Sequence, residues 1–145
     1  AGARLAPIKR NITTIAQETD IWLEVTTLVI PELNDSDDEL RAAAEWLASV
    51  SQDIPWHLSA FHPQYKMRDR GRTPPSTLQR AHQIGKDAGL HFVYVGNVFD
   101  PDRGNTYCYN CGQLLVQRFG FSAKMLWDEP GVCPNCGTIN PGVWE

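Results

Sequence analysis

Trp22-Leu-Glu-Val-Thr-Thr-Leu-Val-Ile30 is the stretch that decides the fold, and Pro31 stops it. It is rich in β-branched residues and apolar on both faces, the pattern of an interior, parallel strand. Parallel strands need crossovers long enough to hold a helix, and helix signals flank this one. Upstream, Ile8, Ile12, Ile15 and Ala16 share one face of residues 5–19, an amphipathic helix starting near Pro7. Downstream, Ser36-Asp-Asp-Glu39 is a capping box whose acidic residues suit the positive end of a helix dipole. That helix turns Leu40, Ala43, Ala44, Leu47 and Val50 inward.

The same alternation continues. Trp56–Phe61 reads as a second strand after Pro55, followed by a polar loop from His62 to Arg72. Thr73 is placed to cap a third helix with Pro74 at its first position, and Gly89 to close it. Leu78, Ala81 and Ile84 form its apolar stripe, and His91–Val95 is the third strand. The order predicts an α/β fold over residues 1–100, three parallel strands with right-handed helical crossovers. Three strands cannot close a barrel; they form an arc of a partial βα barrel with edges that need covering. Asp100–Asn105 reads as a linker to a second module, residues 101–145, with Leu114–Arg118 as a hairpin strand.

That second module holds every cysteine in the chain: Cys108-Tyr-Asn-Cys111-Gly112 and Cys133-Pro-Asn-Cys136-Gly137. Each hook sets two thiolates on one side of a tight turn, and the glycine relieves crowding where backbone amides point at sulfur. Two such hooks make a tetrahedral four-sulfur site suited to structural Zn(II), a zinc ribbon. Rubredoxin-type iron uses similar hooks, and buried thiols or disulfides are the plainer alternative. A structural zinc site contributes on the order of 10–16 kcal/mol of apparent folding energy, enough to hold a module with little core.

The totals narrow the function classes. A net charge of −4 argues against nucleic-acid binding. No apolar run is long enough to span a membrane, and no charged-then-apolar leader is seen, so the cytoplasm is the expected compartment. The chain begins at Ala1, which suggests processing or a piece of a longer protein.

Several polar residues are site candidates on position alone. His57 and Ser59 alternate with Leu58 and share a face of the second strand; Glu24 and Thr26 share a face of the first. Inside a barrel these groups need partners or a ligand; on an edge strand they form a wet face, with Glu24 in an ion pair. His62 follows the second strand, at the end where βα barrels build their sites, or is a solvated loop residue. Asn34 and Asp35 read as caps of the next helix and Asn97 as a turn residue. The basic loop Lys66–Arg72 reads as solvated or as an anion grip, and Trp127 and Trp144 as the apolar cover of the cysteine module.

The order of motifs resembles one family. The stretches Gly2-Ala-Arg-Leu5, Glu24-Val-Thr-Thr-Leu-Val-Ile-Pro31, Leu33-Asn-Asp-Ser36, Trp56-His-Leu-Ser59, Phe61-His-Pro63 and Tyr65-Lys-Met67 carry the likeness. Tyr94-Val-Gly-Asn97, Asn105-Thr-Tyr-Cys108 and Gly142-Val-Trp144 continue it in collinear order. Together they are similar to the C-terminal half of the radical SAM enzyme of the AmmeMemoRadiSam system, a relative of the pyruvate formate-lyase activating enzyme. The resemblance implies a partial barrel that holds a [4Fe-4S] cluster and S-adenosylmethionine, cleaved to a 5′-deoxyadenosyl radical that acts on a substrate or partner protein. The Cys-x-x-x-Cys-x-x-Cys cluster motif is absent here, so the cluster would belong to an N-terminal half, on the same or another polypeptide, and this chain alone would be inactive. The resemblance places His62 near adenine, and Glu24 near the substrate or sulfonium. Glu32 stands where the family has glycine, a position that permits a positive φ, and Ala60 where it has arginine, a lost anion contact at the barrel mouth. The competing expectation is a zinc-ribbon binding or assembly module with no catalysis of its own.

Overall fold

The computed structural model describes residues 3–144. Its first part alternates α1 (Leu5–Glu18), β1 (Val25–Val29), α2 (Asp37–Val50), β2 (Trp56–Ala60), α3 (Pro75–Asp87) and β3 (Val93–Gly96). The three strands form a parallel sheet in the order β1-β2-β3, with Thr26, His57 and Tyr94 in register across it. The second part is an antiparallel sheet of β4 (Thr106–Tyr107), β5 (Leu114–Phe119) and β6 (Ser122–Met125). Among the described residues no helix is long and apolar enough to cross a membrane.

The parallel sheet is covered on one face. Val29, Trp56, Leu58, Ala60, Val93 and Val95 point into a core with Leu40, Ala44 and Leu47 of α2 and Leu78, Ala81 and Ile84 of α3. Trp56 is completely buried at its centre, and its indole donates to Thr27 Oγ1 at 2.9 Å. Gly85 of α3 makes room for it: a Cβ there would sit 3.0 Å from both Trp56 and Val93. The helix α1 buries no residue fully and adds Ile12 and Ala16 to the margin of this core.

Several local expectations shift. Residues 22–24 stay outside β1, because β2 begins after Pro55 and the Val25 amide already donates to the Pro55 carbonyl. β1 is an edge strand here rather than an interior one, with Glu24, Thr26 and Leu28 on the uncovered face. Thr73 does not cap α3. Pro74 holds the N-cap position, while the buried Thr73 hydroxyl accepts from the Phe61 amide and donates to the Val29 carbonyl, pinning β2 to β1. Asn34 caps no helix either; it closes the end of β1 through the Ile30 amide and Leu28 carbonyl, and Asp35 accepts from the Glu32 amide. Ser36 is the N-cap of α2, accepting from the Glu39 amide and donating to its carboxylate. Gly89 follows α3 with φ +97°, as a left-handed closing residue should.

Asp100–Asn105 is a knitted turn rather than a slack linker. The Val95 amide donates to the Arg103 carbonyl, and Asp100 accepts from the amides of Asp102 and Arg103. Burial raises the Asp100 carboxyl, but those amides and the Arg103 guanidinium outweigh it and hold the group below its usual range. Buried Asn105 ties the turn to β5 by accepting from the Arg118 amide at 2.7 Å.

Candidate functional site

Two groups of functional side chains stand apart in the molecule. The first is the cysteine cluster. Its two hooks are built alike: the Cys108 amide donates to the Gln113 carbonyl and Gly112 donates back to Cys108; Cys133 pairs with Thr138 and Gly137 in the same way. Gly112 and Gly137 adopt φ +77° and +73°, which a side chain would resist. The likeness extends to the side chains. Asn110 reaches across to Cys136 Sγ at 3.7 Å, and Asn135 to Cys111 Sγ at 3.6 Å. Asn140, buried, donates to Cys108 Sγ at 3.6 Å.

All four sulfurs lie within 4.8 Å of one another, with Cys108–Cys136 at 3.7 Å and Cys111–Cys133 at 3.6 Å. A tetrahedron with metal–sulfur bonds of about 2.3 Å places its sulfurs about 3.8 Å apart, whereas a disulfide needs about 2.05 Å. The cysteines are free thiols set at metal-ligand spacing. Their surroundings already favour thiolate at two of them. The Cys136 thiol is drawn down to about 6 by the hydroxyl and amide of Thr138 and the side-chain amide of Asn110. Burial pushes Cys108 up, but the amides of Cys111 and Asn110 and the Asn140 side chain bring it below the ordinary range. Cys133 is pushed up to about 11 by burial, so a metal there must displace a held proton. Trp127 and Trp144 pack edge to face beside this cluster, as its apolar cover.

The second group lies on the uncovered face of the parallel sheet. Period-two alternation brings Glu24, Thr26, His57 and Ser59 together around one shallow hollow of about 340 Å³. A larger cleft of about 670 Å³ continues from Glu24 and His57 over Tyr94 to Asn97, Phe99, Arg118 and Phe119. Glu24 Oε2 lies 2.7 Å from His57 Nε2, and Glu24 Oε1 accepts from the Trp22 indole at 3.0 Å. The His57 ring stacks on Tyr94 with centroids 5.1 Å apart. Burial holds the Tyr94 phenol above its usual range, and its oxygen lies 2.8 Å from Thr106 Oγ1. Arg118 donates to that same hydroxyl and to the Gly104 carbonyl, with its guanidinium over the Tyr94 ring.

His62 is not part of this cleft. It sits half-buried after β2, with Nε2 2.9 Å from the Asn97 carbonyl oxygen. Asn97 takes φ +61° and bonds the Ala60 carbonyl, so it is a turn residue. Ala60 is fully buried on the helix-covered face, so its side chain is not directed to the cleft. Glu32 adopts φ +64°, the angle a glycine would take freely, and Arg70 braces it by bonding its carboxylate and the Pro31 carbonyl. Tyr94 and Arg118 are the cleft residues that sequence reading missed. The alternation Val93-Tyr94-Val95 carried the signal for Tyr94; no local pattern puts Arg118 beside it.

The geometry defines an α/β protein with one open polar sheet face and an appended module whose four cysteines are clustered so that they could hold a metal ion. No protein-family model and no solved structure matches the chain. It is similar to the uncharacterized protein MJ0808 of Methanocaldococcus jannaschii, 40% identical over 138 residues that cover 93% of this chain. Those residues are 41% of that relative, so the chain spans about two fifths of its length.

Proposed function

We propose that this chain is the C-terminal portion of a radical SAM enzyme, completed by an N-terminal half that carries the [4Fe-4S] cluster and the early strands of a partial βα barrel. The observation that carries the reading is the uncovered polar face of the sheet. Parallel sheets are almost always covered on both faces, yet here helices cover one, and Glu24, Thr26, His57, Ser59 and Tyr94 occupy the other. A barrel interior is the setting that makes use of such a face. The collinear motifs support the same reading, as does the positive φ of Glu32 at the family's glycine position. A relative of which this chain matches 41% has length enough for such a half.

When bound, the cluster and S-adenosylmethionine supply the radical chemistry. The residues of this chain wall the site: His62 packs adenine at the end of β2, with Asn97 fixing its ring, and the β1 and β2 polar groups face the reacting parts. Zn(II) at Cys108, Cys111, Cys133 and Cys136 holds the C-terminal module and takes no part in the reaction. A protein substrate fits the exposed Phe119 and Phe121 at the β5–β6 turn, which equally suit the alternative of a binding or assembly module.

Metal analysis with and without the N-terminal half tests the proposal. The chain alone should hold about one zinc and no iron–sulfur cluster. Joined to a segment bearing Cys-x-x-x-Cys-x-x-Cys, it should gain cluster iron and release 5′-deoxyadenosine from S-adenosylmethionine under reduction. A four-iron cluster on this chain alone, or a joined protein that binds its cluster but never cleaves S-adenosylmethionine, refutes it.

A further inference from the structure

We propose that Glu24 and His57 form a proton-transfer pair aimed into the cleft above the sheet, with His57 as the general base. Glu24 is held from two sides. Its Oε1 accepts from the Trp22 indole, and its Oε2 meets His57 Nε2 at 2.7 Å. An ionised carboxylate there places the imidazole proton on Nε2. The other ring nitrogen, Nδ1, is then a bare lone pair, and it has no hydrogen-bond partner among the described residues. Stacking on Tyr94 at 5.1 Å fixes the ring plane, and the ring lines both the hollow and the larger cleft. An imidazole held by a carboxylate, with its ring lining open volume, is an arrangement that general acid–base catalysis uses.

The ligand class follows from the charges. Arg118 lies on the β5 wall, where its Nη1 donates to Gly104 and Thr106 and its charge lies over Tyr94. At the β1–β2 end, Glu24 with the hydroxyls of Thr26 and Ser59 suits a hydroxyl or a protonated amine, a group that donates hydrogen bonds and can give up a proton. In the step, the O–H or N–H bond breaks, its electron pair stays on the ligand heteroatom, and the proton moves to Nδ1. Glu24 faces the resulting imidazolium; return of the proton restores the pair. Glu24 acts here as a positioning residue. The inference stands apart from radical chemistry, since it uses only side chains of this chain, and its test needs neither cluster nor S-adenosylmethionine.

Diethyl pyrocarbonate, which acylates unprotonated imidazole nitrogen, is the probe. Applied to the zinc-loaded chain, it should acylate His57, followed peptide by peptide with His62 as the reference for access. Glu24→Gln should lower the His57 rate several-fold while leaving His62 unchanged, Glu24→Asp should retain much of the wild-type rate, and nitrogen-15 shifts should place the wild-type proton on Nε2. An unchanged His57 rate in Glu24→Gln, or a proton on Nδ1, would each overturn the proposal.

Discussion

Cys133 and His82 show how burial sets the chemistry of single side chains. Cys133 is almost fully enclosed and, without metal, keeps its proton. Replacing it with serine removes a ligand that nothing nearby can supply. The wild type should carry about one zinc per chain; in Cys133→Ser zinc should fall well below that, and the last third should lose its dispersed amide signals while the helical dichroism remains. His82 on α3 is lowered from 6.5 to about 4, first by burial and then by Arg103 and Lys86, with Asp100 and a backbone contact at Val93 opposing. The unfolded chain therefore binds more protons in that interval. The stability this neutral imidazole supports is present above pH 6.5 and drains away as pH falls toward 4. A proton NMR titration should show the His82 ring shifting near pH 4, and His82→Gln should flatten the pH dependence of unfolding between those values. A midpoint near 6.5 would show that the ring is solvated.

The elements themselves were legible where their signals are local. Ser36-Asp-Asp-Glu39 and Gly89 act where short-range chemistry puts them, and the alternation of Trp56–Ala60 separates a buried face from a polar one. Thr73 was misread because its partners, Val29 and Phe61, lie 44 and 12 residues away, and no window around Thr73-Pro74 contains that information. The extent of β1 was overread for a related reason: where it starts depends on where β2 starts. The candidate cleft was half visible. Period two gathered Glu24, Thr26, His57 and Ser59, but its far wall comes from a different sheet. Two substitutions test these packings. Thr73→Val leaves a buried amide and carbonyl without their bridge and should cost about 1–3 kcal/mol in urea unfolding. Gly85→Val drives methyl groups into Trp56 and Val93 and should cost about 1–3 kcal/mol, more than the small gain in helix propensity returns. A neutral result at Gly85 would mean that the Trp56 ring can retreat.

Across the molecule, two small cores meet at a few specific contacts. His91, held by Asp53 at 2.8 Å, stacks on Tyr109 of the first cysteine hook with centroids 4.3 Å apart. Arg118 reaches from β5 to Thr106 and Tyr94. These contacts are polar or aromatic and few, while each core is closed on its own. Removing the metal should therefore open one part and spare the other. With a strong chelator, amide exchange across residues 106–140 should rise to that of loose chain, while α2, β2 and α3 stay protected. A single cooperative melt of all 145 residues would show that the two cores depend on each other.

The indoles of Trp127 and Trp144 meet edge to face with centroids 5.0 Å apart, directly beside the sulfurs, and Trp144 also donates to the Asn140 carbonyl. Rings that close share their excited states, so the pair should give a split near-ultraviolet dichroism band that Trp22, Trp46 and Trp56, which make no such ring pair among the described residues, do not produce. The pair should thus serve as a built-in optical gauge of metal loading. Titrating zinc into the stripped protein should bring the split band back in proportion to filled sites, read without any label and without disturbing the cleft.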